Sequence, residues 1–232
     1  MKALILAAGL GTRLKPLTDS IPKALVEING KTLLEHSIDH LKRYGVKEVI
    51  INVHHFPDQI ISFLKEKKDF GLNIEVSDER DELLDTGGGV KKALWFFREG
   101  GAFVVRNVDV LSDTDLGAML DFHKKHKPLD TLAVRNRETS RYMLFNERWD
   151  LIGWTNVSTG ERKLSRKDHK RMYPLAFSGI QILDPAIIPL ITEDGKFSLI
   201  AMYLRLSRDH RICAFSDSES FWFDAGKRED IK

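Results

Sequence analysis

Short apolar runs alternate with amphipathic stretches through the first half of the sequence: residues 3–7 then 33–41, 49–53 then 60–64, 74–76 then 90–97, and 103–105 then 116–122. This is the strand-helix rhythm of a parallel sheet flanked by helices. The helices are read from spacing: Leu33, Leu34, Ser37, Ile38 and Leu41 recur at three- and four-residue intervals, with Glu35, Asp39 and Lys42 opposite them. Gly45 supplies a C-terminal stop. Val49, Ile50, Ile51 and Val53 form a continuous β-branched run, the pattern of a strand buried on both faces.

Beyond about Thr131 the pieces become shorter and strand-like, at 132–134, 142–145 and 151–154, and a polar basic stretch then leads to 175–183. The reading is an α/β chain whose βαβ core continues into a more antiparallel, mixed region. No Pro/Gly/Ser-rich linker and no internal repeat divides it. One domain over 1–232 is expected, with halves 1–130 and 131–232, and the last six residues look like the first turns of a helix.

Charge removes several functional classes. Thirty-six Lys and Arg against 34 Asp and Glu give a net charge of +2 over 232 residues, spread along the sequence, with 42% hydrophobic residues. A near-balanced globular chain has no global electrostatic case for nucleic acid or an anionic membrane, and small-molecule partners are expected. The single cysteine, Cys213, excludes an intramolecular disulfide or a thiolate zinc cluster and reads as a core residue. No segment approaches the roughly 18 apolar residues of a membrane span, and a cytoplasmic location is expected.

The strongest local signal follows the first strand: Leu6-Ala7-Ala8-Gly9-Leu10-Gly11-Thr12-Arg13-Leu14-Lys15-Pro16-Leu17-Thr18. Gly9 and Gly11 let the backbone turn tightly and present N–H groups to an anion, and Arg13 adds a planar cationic fork suited to phosphate oxygens. This is a phosphate cradle of neither familiar type. The Walker pattern is absent, and Leu14 occupies the third glycine position of a dinucleotide fingerprint.

Ten residues after Arg13 comes Lys23, within Pro22-Lys23-Ala24-Leu25-Val26. Together the two segments resemble the signature of the sugar-1-phosphate nucleotidyltransferases. Asp85-Thr86-Gly87-Gly88-Gly89 resembles that family's glycine segment against the nucleobase, and Asn107-Val108-Asp109 its metal motif. Phe177-Ser178-Gly179-Ile180 resembles its sugar-side strand, and Trp222-Phe223-Asp224-Ala225-Gly226 its second metal carboxylate segment. Order and spacing come closest to the short N-acetylmuramate-1-phosphate uridylyltransferases, with mannose- and heptose-1-phosphate guanylyltransferases near behind.

The resemblance implies a Rossmann-like three-layer αβα fold with a mixed, mostly parallel central sheet. It implies transfer of a nucleotidyl group from an NTP, UTP by the nearest subgroup, to a sugar 1-phosphate, with Mg2+ as cofactor. A non-catalytic nucleotide-binding relative is the alternative, and the oligomeric state is left between monomer and homodimer. Ala7, Ala8, Gly9, Gly11, Thr12 and Arg13 would hold the nucleotide, with Arg13 on the departing phosphates and Lys23 on the α-phosphate or the incoming phosphate. Asp109 and Asp224, 115 residues apart, would share the metal. Gly87 and Gly88 would let the backbone approach a flat base, Asn107 would orient a ribose or sugar hydroxyl, Gly179 would lie under the sugar, and Trp222 would contact it. Asp113 and Asp115 read as helix-capping acids.

One departure is clear. The Glu-Lys-Pro tripeptide that many members use to contact the sugar phosphate is absent, and a stretch with six Lys/Arg between Arg162 and Arg171 occupies the region. Lys163, Lys167 or Lys170 could substitute, and a solvated loop is the plainer reading. His54 and His55 read as strand-end packing, and Trp95, Phe96 and Phe97 as core residues on a helix.

Overall fold

The computed structural model describes residues 1–167 and 170–226. The elements, in chain order, are β1 (Lys2–Leu6), β2 (Glu27–Ile28), β3 (Lys31–Thr32), α1 (Leu33–Arg43), β4 (Glu48–Val53), α2 (Pro57–Glu66), β5 (Asn73–Asp78), α3 (Asp85–Ala93), β6 (Phe103–Asn107), β7 (Val110–Ser112) and α4 (Leu116–His126). The second half adds β8 (Asp130–Arg135), β9 (Arg141–Phe145), β10 (Leu151–Asn156), β11 (Glu161–Leu164), β12 (Tyr173–Leu183), α5 (Leu199–Leu206), β13 (Ile212–Ser216) and β14 (Trp222–Asp224).

The central sheet runs β11-β10-β9-β12-β6-β1-β4-β5, with β8 pairing β12 and β13 pairing β8. Its first-half strands, β6, β1, β4 and β5, are parallel throughout. The antiparallel pairings gather around β12, as the change of pattern near Thr131 implies. Alternate residues of each strand serve opposite faces. Ala3, Ile5, Val49 and Ile51 join the core under α1, α2 and α4, whereas Leu4 and Ile50 join the one under α3 and α5. Helices therefore cover both faces of one mixed sheet, the three-layer α/β arrangement expected.

Local chemistry sets the helix ends. Thr32 and Glu35 form a reciprocal capping box at the start of α1. Asp115 caps α4, its Oδ1 accepting from the amides of Gly117 and Ala118, each at 2.9 Å. Gly45, at φ +72°, follows the end of α1.

Two expectations are corrected. Residues 94–97 wind as a 3-10 turn, whose three-residue period buries Phe96 and Phe97 but leaves Trp95 49% exposed. The glycine run 87–89 precedes no helix start near Val90, because it lies inside α3. The helix expected at 227–232 lies outside the described residues.

Candidate active site

β1 ends beneath the glycine loop, and its neighbours β4 and β6 end beside it, so three parallel strands deliver their C-terminal residues to one crevice. This is where open α/β sheets place their ligands. A cleft of about 250 Å³ opens there, walled by Ala8, Gly9, Lys23, Asn52, Asn107 and Asp109 and, from farther along the chain, by Asp85, Thr86 and Lys196.

Two long-range backbone contacts bring distant acids together. β14 pairs antiparallel with β7, Asp224 opposite Val110, and the amide of Ala225 donates to the carbonyl oxygen of Asp109 at 2.9 Å. The point where a Cβ on Gly226 would stand lies 2.7 Å from Asp224 Oδ1, 2.8 Å from Asp109 Oδ2 and 2.8 Å from Arg13 Nη2. Lys23 Nζ is ion-paired with Asp109 Oδ2. Charged groups from four segments thus surround one small volume, two cations and two carboxylates, while no side chain occupies position 226.

A buried brace supports this loop from behind. Arg106, 1% exposed, donates from Nη2 to the Val110 carbonyl and from Nη1 to His40 Nδ1, both at 2.6 Å. His40 Nε2 donates to the Thr114 carbonyl at 2.9 Å. Burial, reinforced by the Arg106 charge, pushes His40 down to about 3, and burial lowers Arg106 to about 9. His40 is therefore neutral, and its two ring nitrogens tie α1 to both ends of the 106–114 segment.

The glycine loop is held from below by a residue that pattern reading overlooked. Asn52 Oδ1 accepts from the amides of Ala7 at 2.6 Å and Ala8 at 3.3 Å, and its Nδ2 donates to Glu79 Oε1 at 2.7 Å. Ala7 and Ala8 thus spend their N–H groups on protein. Glu79 is fully buried, and that burial raises its carboxyl above the usual range. A lone Asn in the apolar run 49–53 was the available signal. Gly11 stands at φ +65°, where a Cβ would also strike Thr18 Cγ2 at 2.7 Å. Thr12 and Arg13 follow it in an exposed 3-10 turn.

Of the expected site residues, Ala7, Gly11, Thr12, Arg13, Gly87, Gly88, Gly179, Trp222 and Asp224 are not on the wall of this cleft; Arg13 and Asp224 meet Asp109 at the Gly226 point beside it. A Cβ on Gly87 would overlap the Phe197 ring, and one on Gly88 would lie 2.5 Å from the Gly195 carbonyl oxygen. The amide of Gly87 donates to Phe197 O at 2.9 Å. The space that a Cβ would need at Gly87 and Gly88 is taken by the 195–197 loop, which carries Lys196 to the cleft. Gly179, at φ +78°, lets β12 bend past Val110 and Asn107. Trp222 donates from Nε1 to Ser178 O at 2.8 Å, and Arg137 lies 4.2 Å over its ring. His54 and His55 bond to the carbonyls of Glu79 and Thr18, the strand-end role expected. Cys213 is buried in the core, as expected.

Asp85, Thr86 and Asn107 also line a second pocket of about 360 Å³, walled by Phe177, Met143 and Tyr203. Among the described residues no helix is long and apolar enough to cross a membrane.

The Nucleotidyl transferase family model matches residues 2–145. N-acetylmuramate alpha-1-phosphate uridylyltransferase from Caulobacter vibrioides is 35% identical over 228 residues, covering 97% of this chain and 91% of that protein. Mannose-1-phosphate guanyltransferase from Yarrowia lipolytica is 32% identical over 240 residues, covering 100% of this chain and 62% of that one. Among solved structures, HddC from Yersinia pseudotuberculosis matches with a TM-score of 0.77 at 25% identity, covering 99% of this chain and 95% of that chain. UDP-glucose pyrophosphorylase from Acinetobacter baumanii shares the fold, with a TM-score of 0.78 at 18% identity over 99% of this chain and 90% of that one.

Proposed function

Since the chain belongs to the nucleotidyl transferase family, we propose that it joins a nucleoside triphosphate, UTP by preference, to a sugar 1-phosphate such as N-acetylmuramate 1-phosphate, forming an NDP-sugar and pyrophosphate. The observation that carries this reading is the gathering of Arg13, Lys23, Asp109 and Asp224 around one volume at the strand ends. The uridylyl preference rests on the relative that matches over nearly all of both chains. Guanylyl transfer to mannose 1-phosphate is the second reading, supported by the match over 100% of this chain.

In this reaction a sugar-phosphate oxygen attacks the α-phosphorus of the nucleotide and pyrophosphate leaves in line. Both reactants are anions, so catalysis is mostly positioning and charge neutralisation. Lys23 would hold the α-phosphate or the incoming phosphate, and the exposed Arg13 would take the departing phosphates. Asn107, on the wall shared by cleft and second pocket, would orient a hydroxyl between nucleotide and sugar. Residues 1–130 would bear most of the nucleotide contacts and 131–232 the sugar, with Lys196 crossing from the second half to the first cleft.

The donor set fits magnesium. Asp109 and Asp224 offer oxygen ligands around one point, and among the described residues no third His, Cys, Asp or Glu joins them in a metal-binding group. Two carboxylates completed by phosphate oxygens suit this hard, reluctantly dehydrated cation. Bound there, it would offset phosphate charge in the transition state.

Pyrophosphate release, measured for UTP, GTP, CTP, ATP and dTTP against muramate, glucosamine, mannose, glucose and heptose 1-phosphates, tests this reading. Turnover with UTP and a sugar 1-phosphate is expected; turnover with GTP alone would replace the uridylyl preference with the second reading.

A further inference from the structure

The pocket beside Asn107 is not the end of the crevice. Arg141, Ser198 and Ile200 line it and also line a third pocket of about 570 Å³ farther out. The three spaces form a series, with Asp85, Thr86 and Asn107 shared at the first junction and Arg141 standing at the second.

The outer pocket is cationic. Arg141, Lys163, Arg205 and Arg208 all line it and no Asp or Glu does. Two of these charges are already matched, because Arg205 is clamped by Glu193 at 2.6 and 2.7 Å and Lys163 meets Glu161 at 2.9 Å. Arg141 and Arg208 have no carboxylate partner among the described residues. The outer wall also takes in Lys163 from the basic stretch 162–171. Guanidinium groups without a carboxylate partner, in a concavity adjoining the second pocket, suit an anion.

We propose that this outer pocket is a subsite for a carboxylate carried by the acceptor sugar, with Arg141 as its main contact and Arg208 assisting. The proposal deepens the reading above and rests on it, because it assumes that the sugar ring lies in the second pocket with its phosphate toward Lys23. A ring so placed presents its far side to Arg141. The subsite would discriminate acidic from neutral sugars of the same ring and so choose between the two acceptors left open.

The test compares N-acetylmuramate 1-phosphate with N-acetylglucosamine 1-phosphate, which lacks only the lactyl ether bearing the carboxylate. With UTP in excess, the ratio of their kcat/KM values is expected to favour the acidic sugar and to fall about 10- to 100-fold in the Arg141→Gln, Arg208→Gln double variant, the worth of a charge-assisted hydrogen bond. The wild-type preference should also shrink as ionic strength rises. An unchanged ratio in the double variant, or no preference in the wild type, would overturn the subsite while leaving nucleotidyl transfer intact. Should no sugar 1-phosphate turn over, transfer itself fails, and calorimetric titration with free N-acetylmuramate against N-acetylglucosamine decides the subsite separately. Binding of the acid that the double variant loses supports it, and equal affinity for the two sugars removes it.

Discussion

The amide of Ala225 donates to the carbonyl oxygen of Asp109 at 2.9 Å, joining two segments far apart in sequence. With Asp224 opposite Val110 in the same antiparallel pair, this contact places the second carboxylate beside the first. Asp224→Asn should therefore lower kcat about 10²- to 10³-fold, the usual worth of one preorganised electrostatic group, and leave the circular dichroism spectrum unchanged. Steady-state kinetics with UTP and the preferred sugar 1-phosphate check this.

Lys23 lines the cleft and is ion-paired with Asp109. Lys23→Met should lower kcat by a similar factor of about 10²–10³. It should also leave Asp109 without its compensating charge. Isothermal titration should find magnesium, in the absence of nucleotide, binding no more weakly to this variant than to the wild type, since the lysine competes with metal for the carboxylate.

Much of this centre was legible in the sequence because the groups that carry charge sit in short, ordered segments: Arg13 after a glycine turn, Asp109 at the end of a buried strand run, Asp224 beside Trp222. The βα rhythm likewise made the parallel half of the sheet legible, since its strands carry short, mostly apolar runs separated by amphipathic stretches. Asn52 and Lys196 were not legible as site residues. Asn52 reads as a polar interruption of a strand until its amide is seen holding the Ala7 and Ala8 N–H groups. Lys196 reaches the cleft only because Gly87 and Gly88 admit the 195–197 loop against α3, a contact between segments more than a hundred residues apart. The glycine run was visible, but its sequence does not say whether a base or a protein loop is what needs the space.

That packing is directly testable. Gly87→Ala would drive a methyl group into the Phe197 ring and should cost about 1–3 kcal/mol of stability in urea unfolding. Phe197→Ala should recover part of that loss, giving a favourable coupling energy in a double-mutant cycle. Additive costs would mean that the two residues do not meet.

Arg106 braces the carboxylate loop without touching the cleft. Arg106→Met would leave His40 Nδ1 and the Val110 carbonyl without their donors in a buried setting, and should cost about 2–5 kcal/mol. Chemical denaturation midpoints measure it.

His40 gives the fold a pH dependence of known sign. Its folded value of about 3 lies below the ordinary 6.5, so between these limits the unfolded chain binds a proton that the folded chain refuses. Stability contributed by neutral His40 is complete above about pH 6.5 and falls as the pH drops toward 3, by at most about 1.4 kcal/mol per pH unit. His40→Gln, whose amide can accept from Arg106 and donate to Thr114, should flatten the wild-type slope of unfolding free energy between pH 6.5 and 4. Parallel slopes would contradict the assignment.

In the proposed reaction Arg13, Lys23, Asp109 and Asp224 act as one metal-assisted centre for phosphate chemistry. The most direct measurement of this is pyrophosphate release by wild type and Asp109→Asn, each with magnesium and with chelator, in the presence of NTP and sugar 1-phosphate. The wild type should release pyrophosphate only when both substrates and the metal are present, and Asp109→Asn should be nearly inactive while still folded. Near-wild-type release by folded Asp109→Asn, or full activity in chelator, would contradict it.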